Sequence, residues 1–117
     1  MHEEPYAKPL FTTMNIWALP KDPTIRLALL RLSGDYDLQE LALDCDTERS
    51  RQAIRICHRR IPGLSAYLFT YAQPQSRYGL QLRYPTEDPG GTPPYGSLEE
   101  IDLQRLIELL SMHFELT

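Results

Sequence analysis

The stretch Asp46-Thr47-Glu48-Arg49-Ser50-Arg51-Gln52-Ala53-Ile54-Arg55-Ile56-Cys57-His58-Arg59-Arg60-Ile61-Pro62-Gly63 decides how this chain is read. Asp46 or Thr47 suits a helix start, and Pro62-Gly63 ends one. Between them, Ala53, Ile54, Cys57 and Ile61 share a stripe at helical spacing, which predicts an amphipathic helix over 47–61. Arg51, Arg55 and Arg59 stand four apart and make one exposed ridge on that helix.

Charge sets this stretch apart from its surroundings. The whole chain carries −4. Residues 47–84 hold seven arginines (Arg49, Arg51, Arg55, Arg59, Arg60, Arg77, Arg83) and one acid, Glu48, so that segment is +6. The other residues hold five basic and fifteen acidic side chains and sum to −10. A charged partner meets the local patch, because screening confines the field to about 8–10 Å.

Composition bounds the classes available. A chain of 117 residues fits one domain and can bury a core without disulfides or metal. A hydrophobic content of 42% and a mean hydropathy of −0.40 exclude a membrane protein and a wholly disordered chain. No apolar run approaches the roughly 20 residues of a membrane span. Met1-His2-Glu3-Glu4-Pro5 lacks the basic patch and apolar stretch of a signal peptide, so a cytoplasmic location is expected. Cys45 and Cys57 do not supply the two pairs of a zinc framework; Cys57 reads as a small buried thiol, and no disulfide is expected in a reducing compartment.

Outward from the basic stretch, residues 1–21 form an irregular, proline-punctuated arm containing Trp17, which reads as a core plug. Asp22-Pro23 opens a helix over Ile25 to Leu32, stopped by Ser33-Gly34. Asp37 to Asp44 reads as a short second helix with Leu38, Leu41 and Ala42 on one face. Ser65 to Ala72 and Tyr78 to Tyr84 read as a hairpin around the polar link Gln73 to Arg77. Residues 85–96, with four prolines and three glycines, are an irregular link. Ser97-Leu98-Glu99-Glu100 is a capping box for a final helix to about Glu115. Its stripe of Leu103, Leu106, Ile107, Leu110 and Phe114 is widened by Leu98, Ile101, Leu109, Met112 and Leu116. A helix so broadly apolar is expected to be covered by a second protomer as well as by its own domain.

The order is helix, helix, helix, hairpin, helix. It runs through Glu40-Leu41-Ala42, then Ser50-Arg51-Gln52-Ala53-Ile54-Arg55, then Arg59-Arg60-Ile61-Pro62-Gly63-Leu64. Over about residues 22–84 this resembles the winged helix-turn-helix proteins, a superfamily dominated by bacterial transcription regulators. The resemblance implies a mostly α fold with a β-hairpin in a single domain: arm 1–21, winged-helix core 22–84, link 85–96, dimerising helix 97–117. It implies sequence-specific binding of double-stranded DNA as a homodimer. Arg51 and Arg55 would contact guanine and Gln52 adenine, while Arg49, Ser50 and Arg59 would hold phosphates. Ser76 and Arg77 would form the wing. Two positions depart from the pattern: Ile56 is apolar where such helices are polar, and His58 replaces an apolar residue.

The alternative takes residues 24–32 and 36–44 as strands. That gives a ββαββα α+β sandwich, expected to be a non-enzymatic protein-binding module (adaptor, chaperone or inhibitor) that docks an acidic partner through its basic helix. Neither reading includes catalysis, a metal or a cofactor. His2, His58 and His113 are scattered, and Cys57-His58 are sequence neighbours that diverge on a helix. Asp44 and Asp46 read as caps, and Gly90-Gly91 is not followed by a phosphate-binding unit.

Overall fold

A computed structural model describes residues 15–44, 50–85 and 97–117. After a 3-10 turn at Ile16–Ala18, the chain forms helix α1 (Pro23–Asp35) and strands β1 (Leu41–Asp44), β2 (Ala53–His58), β3 (Ser65–Phe69), β4 (Tyr78–Arg83) and β5 (Leu98–Ile101). Helix α2 (Leu103–His113) follows. The strands pair in sequence order, all antiparallel, as one five-stranded sheet.

This is not a mostly α winged helix, and the helix expected over 47–61 is not formed: its described part holds strand β2. The reason lies in Ile54 and Ile56. Two residues apart, they fall on nearly opposite sides of a helix but on the same side of a strand. The structure pairs them with Leu68 and Ala66 on β3, and both are completely buried. β-Branched side chains favour that pleated setting. Likewise Leu41 to Asp44 is strand β1 rather than the end of a second helix, with Leu41 and Leu43 in the core. The ββαββα alternative fails as well, since α1 occupies its first strand and β2 its first helix.

The last helix begins later than the capping box suggested. Leu98 to Ile101 pairs with β4, and the cap is Asp102, whose carboxylate accepts from the Arg105 amide at 2.8 Å. Helix α1 starts at Pro23 as expected, but Asp22 makes no side-chain cap; its carboxylate meets Arg51 at 3.4 Å. The 65–84 hairpin is present as β3 and β4.

The core is a single layer between the sheet and both helices. Ile25, Ala28, Leu29 and Leu32 of α1 join Leu106, Ile107 and Leu110 of α2. They pack on Leu41, Leu43, Ile54, Ile56, Leu68, Leu80 and Ile101 of the sheet. Tyr78 anchors α1: its buried hydroxyl donates to the Thr24 carbonyl at 2.9 Å, and burial raises its pKa to about 12. No helix among the described residues is long and apolar enough to cross a membrane. Trp17, expected as a core plug, is 70% exposed.

A candidate docking face on the sheet

Alternation along each strand turns the other half of its side chains away from the helices. Register places Ala42, Cys57, Ser65 and Arg83 in one row across the sheet. Asp44, Arg55, Tyr67 and Gln81 form the next row, and Ala53, Phe69 and Gly79 the third. None of these residues belongs to the core cluster. Arg83 and Gln81 are exposed, as is Tyr71 just beyond β3; Arg55, Cys57 and Tyr67 are half-buried.

An aromatic row follows β3 along this face. Phe69 and Tyr71 stack with centroids 4.7 Å apart, and Tyr67 lies 5.7 Å from Phe69. The Tyr71 hydroxyl meets the Tyr67 hydroxyl at 3.3 Å. Arg55 lays its guanidinium over the Tyr67 ring, 5.4 Å from the centroid. The Phe69 ring sits directly on Gly79, where a Cβ would come within 2.1 Å of the ring carbons. That cross-strand seat helps to keep Phe69 only 4% exposed.

The arginines divide into two groups. Arg51 pairs with Asp22, Arg60 with Glu40 at 3.5 Å and Arg77 with Asp102 at 3.6 Å. Arg55, Arg59 and Arg83 have no carboxylate partner among the described residues. Between Ser50 and Pro85 the sequence holds no acid.

The residues expected to read DNA are not brought together as a recognition surface. Arg49 lies outside the described residues. Ser50 precedes β2; its hydroxyl accepts from the Gln52 amide, and its carbonyl accepts from the buried Lys21 amine. Gln52 is exposed, but its carbonyl holds the Thr70 amide. Arg51 lies in the turn before β2 and Arg59 in the bend after it, so the six-residue strand stands between them, where one helix would have held both on a single ridge. Ser76 and Arg77 lie in the β3–β4 loop, Ser76 with a positive φ of 64°. Of the residues expected at a dimer contact, Ile101 is buried beside Tyr78. Leu109 and Leu116 pack partly on the core, Leu98 is exposed on β5 and Met112 is 71% exposed.

Two histidines serve the fold. The Nδ1 of His58 accepts from the amides of Arg60 and Ile61, closing the β2–β3 turn. His113 on α2 is buried, and its Nε2 donates to the Ser65 carbonyl at 2.8 Å. His58 also lines a cavity of about 270 Å³ with Asp37, Glu40, Phe114 and Leu116. Among the described residues no group of three His, Cys, Asp or Glu side chains could hold a metal ion.

The residues missed in the sequence are Tyr67, Phe69 and Tyr71, and Arg83 as a member of the same face. Their signal was present: three aromatics at i, i+2 and i+4 share one face of a strand. The chain matches no protein family, and no curated protein or solved structure is similar to it.

Proposed function

We propose that this protein is a non-enzymatic protein-docking module that engages its partner through the sheet face opposite the helices. One observation carries the reading: Arg55, Tyr67, Phe69 and Tyr71 form a packed arginine–aromatic array on a face outside the core. Tyr and Arg dominate the energetics of protein interfaces because they offer large contact area and polar ends at modest entropic cost. The members of the array already contact one another without a partner, which lowers the cost of ordering them on binding.

The geometry weighs against nucleic acid. Stacking a base needs a free aromatic face. Here Phe69 is stacked on Tyr71 and seated on Gly79, while Arg55 takes a face of Tyr67. Reading duplex DNA with residues 47–61 would need them on a helix inserted in the major groove, and Ala53 to His58 is a strand inside a sheet.

The test is site-specific photo-crosslinking in the native cell. A crosslinking amino acid replaces Tyr71 or Gln81 on the face, or Leu27 or Met112 on the exposed side of the helices. We expect one discrete protein adduct from the face positions and none from the helix positions. Adducts from Leu27 or Met112 alone, or nuclease-sensitive adducts, would reject the reading.

A further inference from the structure

We infer that the partner presents an acidic segment, whose carboxylates meet Arg55 and Arg83 while an adjoining apolar side chain lies against Tyr71. This inference rests on the docking reading above and names the chemistry of what docks.

Positive charge is left over on this face. The protein is acidic overall, yet six arginines and no acid lie between Ser50 and Pro85. Three of the six are matched internally, each by an acid from another element: Asp22, Glu40 and Asp102. Arg55 and Arg83, unmatched among the described residues, share one sheet face. Of the acids in the strands of that face, Asp44 lies opposite Arg55 but is buried, and Glu99 of β5 accepts from the Gln73 side-chain amide. β3 separates β2 from β4 and the two lie one row apart, so the arginines stand about 12 Å apart across the sheet. Two like charges at that spacing repel weakly and gain from a common counter-charge between them.

The open part of the face is its Arg83, Gln81 and Tyr71 side, whereas Ala42, Asp44, Ala53, Ser65 and Phe69 are buried. Ser65 and Cys57 are the small residues beside Arg83, whereas Arg55, Tyr67 and Gln81 form the taller neighbouring row. Tyr67 braces Arg55, and Gln81 is held by Ser97, its amide donating to the hydroxyl at 2.7 Å. An arginine held in place, as Arg55 is by Tyr67, loses less freedom when it binds a carboxylate in the two-pronged geometry. Beyond the end of β3, past Phe69, Tyr71 is exposed and offers the apolar contact.

Three fluorescein-labelled probes test this by anisotropy: a decapeptide with glutamate at alternate positions and a central Phe, the same peptide with Gln for Glu, and a single-stranded oligonucleotide. We expect the glutamate peptide to bind and the glutamine peptide to bind at least tenfold more weakly. Arg55→Gln and Arg83→Gln should each weaken the glutamate peptide about tenfold, since a charge-assisted hydrogen bond is lost. Arg31→Gln on α1, whose arginine pairs with Asp35, should leave binding unchanged. Thermal unfolding of each variant separates lost binding from lost folding.

Equal affinity for both peptides, no loss in the arginine variants, or no peptide binding overturns the acidic-segment inference. The docking reading would still stand if face positions continued to yield a protein adduct in cells. Tighter binding of the oligonucleotide, dependent on Arg55 and Arg83, would overturn both.

Discussion

At the residue scale, His113 is the group whose titration the fold must resist. Burial lowers its pKa from the usual 6.5, partly offset by the carbonyls of Ser65 and Arg83, and its Nδ1 is buried without a hydrogen-bond partner. The unfolded imidazole takes its proton near pH 6.5, the folded one only at lower pH. Below about 6.5 the unfolded chain therefore binds more protons, and stability falls as pH falls; above it this histidine adds no slope. Urea midpoints from about pH 5 to 8 should show that decline, and His113→Gln should flatten it. Tyr78 acts at the other end of the scale: Tyr78→Phe removes its bond to Thr24 and should cost about 1 kcal/mol in chemical denaturation. Gly79 is fixed by space rather than by backbone angle. Gly79→Ala should destabilise by about 1–3 kcal/mol, because the new methyl would overlap Phe69. In a Phe69→Ala background that penalty should vanish, which a double-mutant cycle would detect.

At the element scale, the segment 50–61 shows how one sequence supports two periods. Arg51, Arg55 and Arg59 share a face at spacing four whether the backbone is helix or strand, because four is both near 3.6 and twice two. The ridge therefore carried no information about which element bore it. The residue that discriminates is Ile56, polar-facing in a helix and core-facing in the strand. Ile56→Ala should cost about 2–5 kcal/mol, the price of a cavity at a completely buried site; a change below about 0.5 kcal/mol would restore the helix. Helix α1 and the β3–β4 hairpin were legible because their patterns fit one period each. The start of α2 was not, because Ser97-Leu98-Glu99-Glu100 satisfies a capping box and still enters the sheet. That strand, β5, is irregular. An extra residue sits between its two pairings with β4, Glu100 takes a positive φ of 56°, and Gln73 accepts the Glu100 amide at 2.7 Å. Two glutamates and a bulge on an edge strand deter another chain from extending the sheet.

At the scale of the whole molecule, charge is arranged as an acidic body with a basic interval, and half of that interval is spent internally. A recognition helix neutralising about four phosphates would give a log–log salt slope near −4 for duplex DNA. Arg55 and Arg83 on the sheet, with Arg59 just past the end of β2, should give random-sequence duplex a slope shallower than about −3. A slope of −4 or steeper in fluorescence anisotropy would mean that more arginines are available than the ion pairs of Arg51, Arg60 and Arg77 allow. Composition foretold the basic interval but not its partition, since Asp22, Glu40 and Asp102 reach Arg51, Arg60 and Arg77 only through tertiary structure. The aromatic face was hidden for the same reason: it exists only once Tyr67, Phe69, Gly79 and Arg55 are brought into register by two strand pairings.

The seat of Phe69 on Gly79 also supplies a spectroscopic reporter. The glycine α-proton that takes the place of a Cβ lies over the aromatic ring, within its shielding cone. Its resonance should stand upfield of other glycine α-protons, in a region with few competing signals. Any occupant that tilts Phe69 would move this one line, so that a natural-abundance proton–carbon spectrum reads occupancy of the face without a label or a substitution.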